Sequence, residues 1–204
     1  MHDVIESFRQ TSWQEWVAAV TGLISVYLGI RNHIGNWLFQ IISSVLYVWV
    51  LWKGGYVSSA GLNLFYFIPM QFYGWYAWSK FGPQSANRLP ITHASLPLLA
   101  VGLCVAGIFT VAWGWFAATH TQAFMPYLDA GVTGISILAE FLDSRKKFEN
   151  WHLWGVVNFI YAFILFPPQK YYVSAILYFI FLLMAFWGAF EWRKTLQKQE
   201  NTAS

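Results

Sequence analysis

The sequence predicts an all-α integral membrane protein of seven transmembrane helices, and three observations carry that expectation. Of its 204 residues 57% are hydrophobic and only 10% are charged, where soluble domains carry about a quarter charged residues. Mean hydropathy is positive, at +0.45. Apolar runs of membrane-crossing length recur along the whole chain, separated by short polar breaks.

A hydrocarbon core about 30 Å thick takes roughly 20 apolar residues per helix. Seven segments meet that length: 13–30, 34–52, 56–79, 96–118, 124–144, 151–167 and 171–192. The first follows MHDVIESFRQTSWQEW, which is acidic and lacks the apolar core and small-residue cleavage site of a signal peptide, so the first span is expected to be retained. Breaks then fall at RNH (31–33), KGG (53–55), KFGPQSANR (80–88), THTQ (119–122), RKKFEN (145–150) and PPQK (167–170). Seven spans place the termini on opposite sides. Arg9, Lys53 and Lys170 fall on one side, and Arg31, Lys80, Arg88, Arg145, Lys146, Lys147, Arg193, Lys194 and Lys198 on the other. The richer side is expected to be cytoplasmic, with the C-terminus inside and the N-terminus outside.

Shifting the chain by 114 residues aligns its two ends without a gap. Arg31 falls on Arg145, Asn36-Trp37 on Asn150-Trp151, Tyr47 on Tyr161, Phe65 on Phe179, Gly74 on Gly188, Trp78 on Trp192 and Lys80 on Lys194. Polar and aromatic matches in one register predict a repeat. Residues 12–80 then form one three-helix bundle, 81–123 a linker containing the fourth helix, 124–194 a second bundle and 195–204 a tail. A single linker helix after three spans restores the starting orientation, so the bundles run parallel. Transporters built from repeats bind substrate near the bilayer midplane and rock one repeat against the other, which makes transport the leading function class.

Polar groups inside spans are costly and face bundle interiors or cavities. Asp129, Thr133, Ser136 and Glu140 share a helical face on the fifth helix, and Ser59, Asn63, Tyr66 and Met70, with Gln71 beside them, on the third. Trp151, Trp154, Asn158 and Tyr161 stripe the sixth, where Asn158 lies about 12 Å from the helix start near Asn150 at 1.5 Å per residue. Its repeat mate is Ser44, and Gln40 is the mate of Trp154. Small polar groups also glue helices together. Ser43, Ser44, Thr133 and Ser136 fit that role equally, Asp129 and its mate Glu15 fit helix capping, and Glu140 fits pairing with the basic cluster five residues on. Aromatic residues make up 21% of the chain. Trp37, Trp49, Trp52, Trp75, Trp78 and Trp192 are expected in interfacial belts. Trp154, Tyr66, Tyr161 and Tyr178 lie deeper and suit a cage for a flat, delocalised cation. Pro69 interrupts the third helix, as a static kink or a gating hinge. Cys104, the single cysteine, reads as an apolar filler.

No Walker A loop, HExxH or Ser-Lys constellation is present in the sequence, and no metal-ligand set or cofactor motif. Basic residues form no contiguous patch for nucleic acid. An intramembrane enzyme and a non-transporting structural protein remain as weaker classes.

The segment LDSRKKFENWHLWGVVNFIYAF, together with PMQFYGWYAW and the repeat, resembles the PnuC family of bacterial vitamin transporters from about Trp13 to Lys194. Trp151, Trp154 and Asn158 match its W-x-x-W-x-x-x-N pattern, Tyr73-Gly74-Trp75 its aromatic-Gly-Trp, and Trp13 and Glu15 its early W-x-E. Many members carry a glutamine where Asn63 stands here, with one residue fewer before Gly-Trp. The resemblance implies a SWEET-like bundle, a homotrimer in the inner membrane. It also implies facilitated diffusion of nicotinamide riboside, trapped by a cytoplasmic kinase, with thiamine or riboflavin carried by relatives. On this reading Trp154 stacks the ring beside Trp151, and Asn158 bonds its carboxamide or ribose. Gln40, Gln71 and Asn63 add polar contacts, while Tyr66 and Tyr178 line the path. Pro69, Glu140 and Asp129 are gating or structural.

Overall fold

The computed structural model describes residues 11–53, 57–80 and 89–203. Arg9, Arg88 and the side chain of Ser59, used above, lie outside the described residues. The described residues form seven membrane-length helices: α1 (Trp13–Ile30), α2 (Gly35–Lys53), α3 (57–80), α4 (Leu96–His120), α5 (Pro126–Ser144), α6 (150–165) and α7 (Tyr172–Ala203). No strand occurs among the described residues, only an isolated bridge between Thr92 and Lys147. The seven predicted segments coincide with the seven helices within a few residues. The exception is α7, which continues beyond the predicted span end at 192 because LQKQENTA contains no helix breaker.

Helix α1 starts on a capping box: Ser12 Oγ accepts from the Glu15 amide, and the Ser12 amide donates to Glu15 Oε2 at 2.6 Å. Glu15 is thereby a cap, as one of the two sequence readings had it. Helix α4 lies mainly against α5. Gly102, Ala106, Thr110 and Gly114 recur every fourth residue as a small-residue ridge, and a Cβ on Gly134 would stand 3.0 Å from the Ala106 carbonyl. Such ridges let membrane helices approach closely. The other faces of α4 expose Val101, Val105, Ile108, Val111 and Trp115, as apolar residues facing lipid do. Cys104 is exposed there too.

Pro69 and Pro167 sit beside widened turns. In α3, Asn63–Phe67 form a π-helical turn, with the Ile68 amide donating to the Asn63 carbonyl five residues back. In α6, Tyr161–Leu165 do the same, with Phe166 donating to Tyr161. Proline lacks an N–H and crowds the carbonyl four residues earlier. For Pro69 and Pro167 those carbonyls belong to Phe65 and Phe163, each inside a π turn, where the wider ladder moves it aside.

The α1–α2 and α5–α6 connections share four backbone hydrogen bonds at a spacing of 114. Asn32 donates to Gly29 and His33 to Leu28; Lys146 donates to Asp143 and Lys147 to Leu142. Asn32 (φ 55°) and Lys146 (φ 49°) both adopt the left-handed region to make that turn. Packing matches as well. Trp37 meets Trp78 edge-on at 5.4 Å and Trp151 meets Trp192 edge-on at 5.4 Å. A Cβ on Gly188 would come within 2.5 Å of the Trp151 ring, and Gly74 is equally tight against Trp37. Each glycine thus admits an indole that no other residue would.

Trp37, Trp78 and Trp192 are at most 2% exposed and form one cluster with Trp151, Ile30 and Ile91. The expectation that these three belong to interfacial belts is therefore wrong; Trp49, Trp52 and Trp75 are exposed as predicted. End-of-helix position could not separate the two fates, because a tryptophan at a helix end turns to lipid or to a neighbouring helix according to which helices cross there.

Candidate functional site

Helices α1–α3 pack among themselves, as do α5–α7, and the two groups meet where α3 crosses α5 and α7 crosses α1. Reciprocal hydrogen bonds tie this boundary at its basic end. Trp78 Nε1 donates to the Asp143 carbonyl at 3.2 Å, and Trp192 Nε1 donates to the Gly29 carbonyl at 3.1 Å. Both donors and both acceptors are 114 residues apart. Lys146 Nζ lies 4.1 Å over the Trp78 ring and the Arg145 guanidinium 5.2 Å over Tyr73, closing this end with cations on aromatic faces.

Deeper, a column of polar groups follows the boundary. Gln40 Nε2 on α2 lies 3.1 Å from both carboxylate oxygens of Glu140 on α5. Glu140 is 1% exposed, so it neither snorkels nor pairs with the basic cluster. The Tyr66 hydroxyl on α3 donates to the Ile137 carbonyl at 2.8 Å and is an electrostatic neighbour of Glu140. One turn along α2, Ser44 accepts from Gln71 Nε2 at 2.8 Å. Gln71 is 2% exposed, and its Oε1 has no hydrogen-bond partner. The π turn rephases α3, so Gln71 rather than Met70 is the buried member of that face.

Further from the basic end stands an aromatic group. Tyr161 and Tyr178 lie 4.8 Å apart, with Phe166 stacked on Tyr161 at 5.0 Å. Tyr47 is an electrostatic neighbour of both tyrosines, and Asp129 of both as well. Tyr47, three residues past Ser44 on α2, joins this group to the Gln71 level. It was noted in the sequence only as the mate of Tyr161, and that match was the signal that could have promoted it. Asp129 sits in the first turn of α5, where a carboxylate favours the helix dipole.

The structure therefore gathers Gln40, Glu140, Tyr66 and Gln71 into one group and Tyr178 with Asp129 into another. Asn158 is 6% exposed and makes no side-chain hydrogen bond among the described residues. Trp154 packs between the tryptophan cluster and an apolar group of Val132, Val157 and Leu165. Trp151 packs against Gly188 and Trp192, a scaffold position, although its Nε1 is unpartnered. Asn63 opens the π turn of α3 and is half-buried, as is Pro69's neighbour Met70. Ser136 bonds back to Val132 within its own helix, and Ser43 to Ala18, as helix glue does. A groove of about 250 Å³ between α6 and α7 is lined by Ala162, Phe163, Tyr172, Ala175, Ile176 and Phe179. Its exposed apolar walls suit lipid chains and not a hydroxylated vitamin. No group of metal-ligating side chains occurs among the described residues.

Comparison with known proteins decides the family. The model of the nicotinamide mononucleotide transporter family matches residues 12–194. The chain belongs to that family. It is 29% identical to the nicotinamide riboside transporter PnuC of Escherichia coli K12 over 216 residues, covering 94% of this chain and 90% of the relative. It is 30% identical to PnuC of Neisseria mucosa, covering 97% and 78%, and 25% identical to the riboflavin/roseoflavin transporter RibM of Streptomyces davaonensis, covering 88% and 84%. The crystal structure of the vitamin B3 transporter PnuC superposes with a TM-score of 0.74 at 25% identity, covering 96% of this chain and 86% of that one. Membership makes the chain a multi-pass membrane transporter of PnuC type and not an enzyme.

Proposed function

We propose that this PnuC-family protein carries nicotinamide riboside across the bacterial inner membrane by facilitated diffusion, with a cytoplasmic kinase trapping the product. The observation that carries the reading is the buried polar column between α1–α3 and α5–α7, in which Gln71 Oε1 lacks a partner. A buried acceptor without a donor costs about 1–3 kcal/mol, a cost that a carboxamide N–H or ribose hydroxyl would relieve. Trp154 supplies a ring face and Asn158 a bond to carboxamide or ribose. Gln40, Gln71 and Asn63 add polar contacts, Tyr66 and Tyr178 line the path, and Trp151 holds the scaffold.

The helices are organised as a 3+1+3 parallel repeat of SWEET-like type, with α4 as linker. The hydrogen bonds and tryptophan–glycine packing that recur at 114 residues support this. Rocking of the repeats would break the reciprocal tryptophan bonds at the basic end, which faces the cytoplasm with the C-terminus. Pro69 and its π turn serve as the hinge, and a homotrimer covers part of the exposed apolar surface. Thiamine or riboflavin is the second reading, favoured by the similarity to RibM.

A thermal-shift panel of nicotinamide riboside, thiamine and riboflavin on detergent-solubilised protein tests the substrate. The first should give the largest stabilisation; no shift with any of them would sink the transport reading. Asn158→Ala should weaken binding at least about tenfold in titration calorimetry while melting as wild type does. Wild-type affinity in that variant would show the site to be misplaced.

A further inference from the structure

Glu140 is a carboxylate with an unusual setting. It lies four residues before the end of α5, inside the membrane-spanning part, and is 1% exposed. Its only hydrogen-bond donor among the described residues is the amide nitrogen of Gln40, 3.1 Å from each oxygen. It forms no ion pair among those residues. The cations nearest along the chain are engaged elsewhere, Arg145 over Tyr73 and Phe141 and Lys146 over Trp78.

The elements around it offer no replacement. Helix α4, the main neighbour of α5, carries no Lys or Arg, and its His120 is at the far end. Helix α3 presents Tyr66 and Gln71, α2 presents Gln40, and the ionisable groups of α6 are His152, which is exposed, and Tyr161. Asp143, one turn on, adds like charge. A neutral amide answers only part of a buried carboxylate's demand, since buried charges are ordinarily paired with opposite charge.

Position adds the second half of the argument. The Gln40 to Glu140 contact crosses the boundary between the two helix groups, so separating them exposes this carboxylate to the translocation path. Tyr66 stands beside it and Gln71 lies one turn further along the column, giving an aromatic ring and hydrogen-bonding amides near one negative charge. That is the complement of a flat, hydroxylated, monocationic aromatic ring.

We infer that Glu140 is the counter-charge that selects cationic substrates, and that Gln40 is a placeholder occupying the carboxylate while the site is empty. The inference rests on the nicotinamide riboside reading and deepens it: the oxidised pyridinium form should be preferred over its neutral dihydro form, and riboflavin, which is neutral, should be disfavoured.

The test is titration of both redox forms of nicotinamide riboside against wild type, Glu140→Gln and Gln40→Lys. Wild type should bind the cation at least about tenfold more tightly than the dihydro form, the size of a charge-assisted contact. Glu140→Gln should erase that preference by weakening the cation alone. Gln40→Lys, which supplies a permanent ammonium to Glu140 without altering it, should erase it too and serves if Glu140→Gln fails to fold. Equal weakening of both forms, or a preference that survives both substitutions, would overturn the inference. If wild type binds neither form, the substrate reading fails instead.

Discussion

Gly188→Ala is the sharpest test of the packing that sets this fold. Its Cβ would sit 2.5–2.6 Å from three ring atoms of Trp151, about 1 Å inside the usual 3.5–4.0 Å carbon contact. The ring cannot retreat. Trp151 is 6% exposed and is met edge-on by Trp192, which is fully buried. Overpacking of this kind costs about 1–3 kcal/mol. Alanine also gains about 1 kcal/mol over glycine in helix propensity, so the clean reference is Gly107→Ala in α4, where nothing lies within 4 Å of the new methyl. Propensity cancels between the two variants and the clash remains. At about 2–4 °C per kcal/mol for a chain of this size, Gly188→Ala should melt about 2–12 °C below Gly107→Ala in the same detergent. Replacing Trp151 by Leu should make the effect of Gly188→Ala approach that of Gly107→Ala, because the clashing partner is gone. If the two alanine variants melt together, the close glycine–indole approach does not exist as described. Gly74→Ala, against Trp37, should behave as Gly188→Ala does.

Other outcomes follow from the same contacts. Trp192→Phe removes the indole donor from the buried Gly29 carbonyl, which keeps the backbone donors of its own turn, and should cost about 0.5–1.5 kcal/mol, the net worth of one hydrogen bond; Trp78→Phe should act in the same direction through Asp143, and calorimetric or fluorescence melts would check both. Pro69→Ala should let α3 close into a regular helix, turn Tyr66 away from Ile137 and lower substrate counterflow in liposomes while leaving the melting temperature unchanged or higher. Glu149, in the loop before α6, meets partial burial that opposes its charge. The Ala94 amide at 2.7 Å and His93 Nδ1 at 2.7 Å nevertheless hold it below the ordinary carboxylate value of 4.5. A lowered folded value means the contact stabilises docking of residues 91–94 above pH 4.5 and loses that contribution as pH falls through the folded value. Hydrogen exchange at the Thr92 and Phe148 amides, corrected for intrinsic rate, should show protection at pH 7 that is lost in strong acid. The same protection should already be missing at pH 7 in Glu149→Gln.

Much of this architecture is written locally. Seven apolar runs between charged or Gly/Pro breaks suffice for seven helices, because a bilayer demands internally hydrogen-bonded spans of fixed length. The 114-residue register could be found because Arg31, Asn36-Trp37, Gly74 and Trp78 are chemically distinctive in a greasy chain.

What only the tertiary structure decided is which polar and aromatic groups meet. Helix-end tryptophans look alike in sequence, yet Trp37, Trp78 and Trp192 turn inward and Trp49 and Trp52 outward, because helix crossings and not distance along a helix decide burial. Pro69 announced a break, but the π turn that absorbs it rephased α3 and brought Gln71, not Met70, onto the inner face. Glu140, which the sequence leaves open between basic cluster and ligand, is held by Gln40, 100 residues away in the chain. A contact across that distance depends on how two bundles dock, a property of the assembled surfaces that no local window of sequence contains.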